Sequence, residues 1–221
     1  MTPCFKSFIG VRQGDVLSPN IFKIFINDLP DKFLSCPDPV NINNRRVDCL
    51  MYADDVVIFS ETQEGLQKRI NMLHEYCLEW CFDVNLKKTK SIIFNKPGKF
   101  LKCCLHFGGK EIESAKLYRY LGITFTSSGI FKQCKDELYN KSLKACFKLQ
   151  RCLSSSNPSI ATFLHLYDHT IKPILLYGSE IWGMFRTDSA ACKKDNDYIL
   201  EKVFGQDSSE KAHTKFMKYI L

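Results

Sequence analysis

The chain has 221 residues, 45% of them hydrophobic, with 31 Lys and Arg against 24 Asp and Glu, a formal net charge of +7 and a mean hydropathy of −0.18. That is ordinary for a folded globular chain with room for one core, or one plus a smaller one. No apolar run is long enough to cross a bilayer, and the N-terminal MTPCFKSFIGVRQGD has no signal-peptide apolar region, so the expected location is intracellular, in the cytoplasm or the nucleus. The 11 cysteines form no CxxC pair or Cys/His array and read as free thiols, many buried as small hydrophobes. Charge is uneven: residues 1–100 hold 13 basic and 12 acidic residues, and residues 101–221 hold 18 and 12. A basic C-terminal half suits a polyanionic partner, although a merely basic soluble protein has the same balance.

In chain order, Gly10–Asp15 is a polar loop in which Gly14 permits positive φ and Arg12 and Gln13 offer planar multi-donor groups. A helix start follows, with Ser18 as N-cap, Pro19 at the first helical position and Leu17 stapled to Phe22. Phe22, Phe25, Ile26 and Leu29 make one apolar face, and Pro30 stops the helix. Residues 31–48 are turn-rich and hold a short strand near Val40–Ile42, with Arg45 and Arg46 in a solvated turn.

Next comes CLMYADDVVIFS, residues 49–60, an apolar run interrupted by Asp54 and Asp55. Its β-forming flanks predict a strand, a tight turn and a strand with the aspartates at the tip. Adjacent carboxylates repel and resist desolvation unless a cation neutralises them. They therefore read either as a divalent-metal platform or as a surface turn that needs only turn-forming residues.

Ser60 or Thr62 caps a second helix near Leu66–Cys81, whose apolar face runs Leu66, Ile70, Leu73, Cys77, Trp80 and Cys81. Asn85–Lys90 is a basic loop feeding a strand at Ser91–Phe94. After a Lys96–Lys99 turn come a short strand, Lys102–Phe107, a two-glycine hairpin and a further strand, Tyr118–Phe125. From Lys132 the period becomes helical: Lys141, Lys144, Lys148 and Arg151 line up as a basic stripe, opposite an apolar face of Tyr139, Leu143, Cys146 and Phe147. A linker at Ser154–Pro158, a helix at Ile160–Thr170, packing roles for Tyr177 and Trp182, a polar loop at Thr187–Asp197 and helices from Tyr198 complete the reading.

Four segments in order, GVRQGDVLSPNIFKIFINDLP (10–30), YADD (52–55), NLKKTK (85–90) and YLGI (120–123), resemble the palm of non-LTR (LINE-like) retrotransposon reverse transcriptases. The resemblance covers residues 8–129, with weaker echoes to the C-terminus. It implies an α+β fold, a partial ferredoxin-like polymerase palm over residues 1–129 followed by a helical thumb-like region over 130–221. It implies RNA-directed DNA polymerase activity with two Mg²⁺ (or Mn²⁺) ions, on an RNA template, a DNA primer and dNTPs, with no membrane partner.

By the same resemblance Asp54 is the principal metal ligand, Asp55 a supporting one, and Lys88 a general acid near the triphosphate. Arg12, Gln13, Gly14 and Tyr52 contact template and nucleotide, Tyr120, Leu121 and Gly122 form the primer grip, and Lys141, Lys144, Lys148 and Arg151 follow the duplex backbone. The family draws another metal ligand from an Asp on an earlier strand. Only nine residues precede Gly10 and none is acidic. The expectation is an N-terminally truncated palm, inactive alone, either part of a polymerase completed by a missing upstream polypeptide or a nucleic-acid-binding remnant. An unrelated α+β binding protein would have to produce four ordered motifs by accident.

Overall fold

The computed structural model describes residues 10, 14–95, 98–153 and 159–182, and it is a mixed α+β structure of small sheets and several helices. Two compact units divide the chain: Met1–Ile93 with Leu101–Ala115, and Phe94–Phe100 with Lys116–Leu221.

In the first unit, helix α1 spans Ser18–Phe25 with Leu17, not Ser18, at the cap position. The Asp15 carboxylate accepts the Leu17 amide at 2.8 Å, and this Asx-type turn starts the winding one residue early. The Asp15 side chain is thus occupied as a loop hydrogen-bonder. The first helix ends at Phe25 and a turn precedes α2, Leu29–Lys32, which continues into a 3₁₀ turn at Phe33–Ser35. Pro30 therefore opens a helix where it was expected to close one, because the first turn is where proline's missing N–H costs nothing. The apolar face is as read: Ile26 and Leu29 are buried, with Phe22 packed on them.

Strands β1 (Val40–Ile42) and β2 (Arg45–Val47) form a hairpin turned by Asn43 and Asn44, both at positive φ, a conformation asparagine tolerates. The next hairpin joins β3 (Cys49–Tyr52) to β4 (Asp55–Ile58). Cys49, Met51, Val56 and Ile58 pack into a core with Ile26, Leu29, Phe33 and Tyr76. Helix α3, Gln63–Glu79, is capped by the Thr62 hydroxyl accepting the Gly65 amide at 3.0 Å. Tyr76 on α3 serves the hairpin core, while Ile70 and Cys77 enter a second core with Cys103, Leu105, Phe107 and Ile112. Trp80 and Cys81, expected on the apolar face, are exposed because the helix ends at Glu79 and Cys81 turns the chain at positive φ.

That second core lies against a sheet ordered β5–β7–β6: β5 (Lys90–Ser91) pairs parallel with β7 (Lys110–Ser114), and β6 (Leu105–Phe107) pairs antiparallel with β7. Of the expected 91–94 strand only Ser91 joins the ladder, together with Lys90 before it. Gly108 and Gly109 turn the β6–β7 hairpin. On the edge strand β6, the Gln67 side chain donates to the His106 carbonyl at 2.7 Å and accepts its amide at 2.8 Å, satisfying backbone groups that a sheet edge leaves open.

In the second unit, residues 118–125 are not one strand but a hairpin, β8 (Leu117–Tyr120) and β9 (Ile123–Thr126). The break falls at Leu121 and Gly122, both at positive φ; a glycine inside a β-patterned run marks the turn. Helix α4, Lys132–Leu153, packs Cys134 and Leu138 with Ile123, Phe131 and Trp182. Its Cys146 joins Phe163, Tyr167, Ile171 and Leu175 in another cluster. These last residues come from α5 (Ile160–Leu166), a π turn (Tyr167–Ile171) and α6 (Lys172–Leu175), with α7 (Ser179–Trp182) following. Phe147, expected on the buried face of α4, is exposed. The 96–97 turn, the 154–158 linker and all expectations beyond residue 182 lie outside the described residues. Among the described residues, no helix is long and apolar enough to cross a membrane.

Candidate functional site

The β3–β4 hairpin carries the paired carboxylates. Its register sets Tyr52 opposite Asp55, which leaves Ala53 and Asp54 as the two turn residues. Since side chains alternate along a strand, Tyr52 and Asp55 project from the face opposite the core-packed Met51 and Val56. Asp54 sits in the turn itself, and Tyr52, Asp54 and Asp55 are all exposed. Ala53 holds φ 52°, a left-handed conformation that costs an L-residue with a Cβ about 1–2 kcal/mol. The turn keeps its alanine at the expense of that strain.

The base of the hairpin is held by an ion-pair cluster. Asp48, immediately before β3, accepts from Arg69 of α3 at 2.6 and 3.2 Å and from Arg46 Nη2 at 3.1 Å, with a further Arg46 Nε contact. Arg69 is fully buried, and its remaining donors reach the Pro37 carbonyl (2.8 Å), the Ser60 hydroxyl (3.2 Å) and the Gly65 carbonyl (3.2 Å). Arg46 Nη2 also donates to the Phe33 and Cys36 carbonyls at 2.8 and 2.9 Å. Burial alone would raise the Asp48 carboxyl pKa, but the hydrogen bonds and charges of the two guanidiniums hold it below the ordinary carboxylate value. Arg46 is thus no free solvated turn residue. The cluster ties the hairpin to α3 and to the 33–37 turn, fixing the strand that leads to Asp54. Asp48 and Arg69 belong to no sequence motif, and the one local signal is that Arg69 falls between Leu66 and Leu73 beside the apolar face of its helix, where an unpaired charge would be costly.

The other site residues fall in separate places. Gly14 is exposed, with φ 83° and open space where a Cβ would stand; Arg12 and Gln13 lie outside the described residues. Lys88 is exposed in the turn before β5, closed by the Asn85 carbonyl accepting the amides of Lys88 and Thr89, each at 3.0 Å, and the Thr89 hydroxyl at 3.0 Å. The turn is thus closed through the Asn85 backbone carbonyl and the Thr89 hydroxyl, and the Lys88 side chain is left exposed.

Tyr120, Leu121 and Gly122 occur in the second unit, at the β8–β9 turn. Tyr177 donates its hydroxyl to the Leu121 carbonyl at 2.8 Å, and its ring stands 2.9 Å from where a Gly122 Cβ would be. Trp182 is buried, as a packing residue should be, and donates to the Tyr177 carbonyl at 2.9 Å, whereas Tyr177 itself is half exposed. Lys141, Lys144, Lys148 and Arg151 are all exposed along α4.

Asp54 and Asp55 are hard oxygen donors of the kind Mg²⁺ or Mn²⁺ takes, but two carboxylates make only part of a six-oxygen shell. Among the described residues no group of three or more His, Cys, Asp or Glu is placed to hold a metal ion. The donor chemistry fits a divalent ion and the donor number fits a site completed by water or another strand.

The family model for reverse transcriptase (RNA-dependent DNA polymerase) matches residues 4–125, and the chain belongs to that family. Its relatives are the reverse transcriptases of non-LTR retrotransposons. It is 29% identical over 187 residues to the probable RNA-directed DNA polymerase from transposon BS of Drosophila melanogaster, covering 79% of this chain and 20% of that protein. To the RNA-directed DNA polymerase from mobile element jockey of the same fly it is 24% identical over 184 residues, 79% of this chain and 19% of that protein. To the Pol polyprotein from type-2 retrotransposable element R2DM it is 30% identical over 134 residues, 54% of this chain and 12% of that protein. The chain spans about a fifth or less of the length of these curated relatives.

Proposed function

We propose that these 221 residues form the metal-binding hairpin, the primer-side elements and the thumb of an RNA-directed DNA polymerase, acting on an RNA template, a DNA primer and dNTPs. In this reading residues 1–129 belong to a ferredoxin-like palm and residues 130–221 to a thumb-like region. The observation that carries it is the pair Asp54 and Asp55, exposed on a hairpin whose base is clamped by Asp48 and Arg69.

Asp54 is the principal ligand for a divalent ion and Asp55 supports it. Such ions, when bound, stabilise the charge that develops on the attacking and leaving oxygens. Lys88 places a cation and a proton donor beside the triphosphate. Arg12, Gln13, Gly14 and Tyr52 position template and nucleotide. The turn at Tyr120, Leu121 and Gly122, braced by Tyr177, holds the primer terminus. The α4 stripe of Lys141, Lys144, Lys148 and Arg151 follows duplex phosphates.

Two carboxylates do not complete a two-ion site, so the 221-residue polypeptide needs a further carboxylate, supplied by another polypeptide segment, to polymerise. The test is primer extension on an oligonucleotide-primed RNA with Mg²⁺, beside duplex binding across a salt series. The expected result is salt-dependent binding without extension. Extension that Asp54→Asn abolishes would keep the polymerase and refute the need for another carboxylate. Loss of both binding and extension in a folded chain would refute the reading itself.

A further inference from the structure

The junction of α5 with the π turn holds two imidazoles that none of the roles above uses. His165 and His169 are both exposed, their ring centroids are 4.2 Å apart, and the rings are tilted by 40°. Residues four apart share one face of a helix. Here the winding also changes between them, from α through Leu166 to π from Tyr167 to Ile171. A π turn bonds i to i+5, and its wider winding brings side chains four apart more nearly into line with the helix axis.

The protonation of one ring follows from its partner. His169 Nδ1 lies 2.8 Å from the His165 carbonyl oxygen. A carbonyl can only accept, so Nδ1 carries the proton and the neutral ring keeps its lone pair on Nε2. A ring nitrogen donating to a backbone carbonyl while the other remains unprotonated is the arrangement found in metal-ligating histidines, where the outer hydrogen bond fixes tautomer and orientation. Histidines at i and i+4 on one helix face are also the spacing with which helices chelate zinc. The nearest acidic neighbour in sequence, Asp168, is paired with Lys172 at 3.3 Å.

We infer that His165 and His169 form a two-imidazole site for a divalent transition ion of the Zn²⁺ or Cu²⁺ class, with the remaining positions open to water. Imidazole suits these ions and not Mg²⁺, so the site is chemically separate from the Asp54–Asp55 carboxylates. It stands independently of the polymerase reading. Two protein ligands define a weak, exchangeable site, in contrast to the closed four-ligand sites that hold structural zinc.

The test uses the full 221-residue chain, with accessible thiols capped by N-ethylmaleimide and histidine labelled with ¹⁵N. Titrated with zinc chloride above neutral pH, the ring-nitrogen resonances of His165 and His169 should shift together and saturate at one equivalent, while those of His74 and His106 stay in place. Removing a direct ligand should cost at least what loss of an outer-shell partner costs, about 10–100-fold in affinity. His165→Gln and His169→Gln should therefore each weaken binding by that factor while leaving the circular dichroism spectrum unchanged. The inference is overturned if the two rings do not respond up to millimolar zinc, or if either variant binds as tightly as the parent chain.

Discussion

Replacing Arg69 with methionine tests whether the cluster behind the hairpin holds it in place. Methionine keeps an unbranched side chain of comparable reach and removes the charge. The substitution takes from Asp48 its most deeply buried partner and removes the Arg69 donor from the Pro37 and Gly65 carbonyls and the Ser60 hydroxyl. Breaking a buried ion pair costs about 3–5 kcal/mol. Asp48 retains Arg46, whose side chain is 31% exposed, so the lower end, about 3 kcal/mol, is expected. For a unit of this size that lowers the thermal midpoint by roughly 10 °C.

Acid supplies a second arm. The folded Asp48 carboxyl has a depressed pKa, so its contribution is fully present above the unfolded value, about 3.9, and is lost as pH falls through the folded one. The stability difference between parent and Arg69→Met should therefore shrink below about pH 4. Thermal and urea unfolding measured at several pH values would check both arms. A difference under about 1 kcal/mol at neutral pH, or one that grows in acid, would refute the argument that this ion pair anchors the hairpin.

Two glycines separate clash from backbone strain. Gly178→Ala should destabilise by about 2–3 kcal/mol, because φ is +71° and the new Cβ would stand 2.3 Å from Ile123 Cδ1, whereas Gly109→Ala, at φ +80° with open space, should cost only about 1 kcal/mol; urea midpoints distinguish them. Cys77, whose thiol burial and then Asp83 push up to about 11, should resist iodoacetamide at pH 8 in the native chain while the exposed Cys81, Cys104 and Cys152 react, as peptide mapping would read. Changing Lys141, Lys144, Lys148 and Arg151 together to Gln should flatten the dependence of duplex affinity on salt by about 0.9 in log–log slope for each phosphate no longer neutralised; an unchanged slope would remove α4 from the nucleic-acid surface.

Much of this protein is determined by the order of its residues alone. The β3–β4 hairpin follows from β-forming flanks around a polar pair, and α3 from a 3.6-residue apolar period with a threonine cap, both local effects. The ordered motifs were enough to indicate the reverse transcriptase family. Tertiary structure decided what local rules could not. Pro30 looks like a stop until α2 supplies a first turn for it to occupy. Residues 118–125 read as one strand because alternation is blind to a turn that only Leu121 and Gly122, at positive φ, make possible. The Asp48–Arg69 pair spans 21 residues, and the desolvation that makes it matter exists only once α3 covers the base of the hairpin. A charge on an apolar helix face has no meaning in sequence until the fold brings its counterion to it.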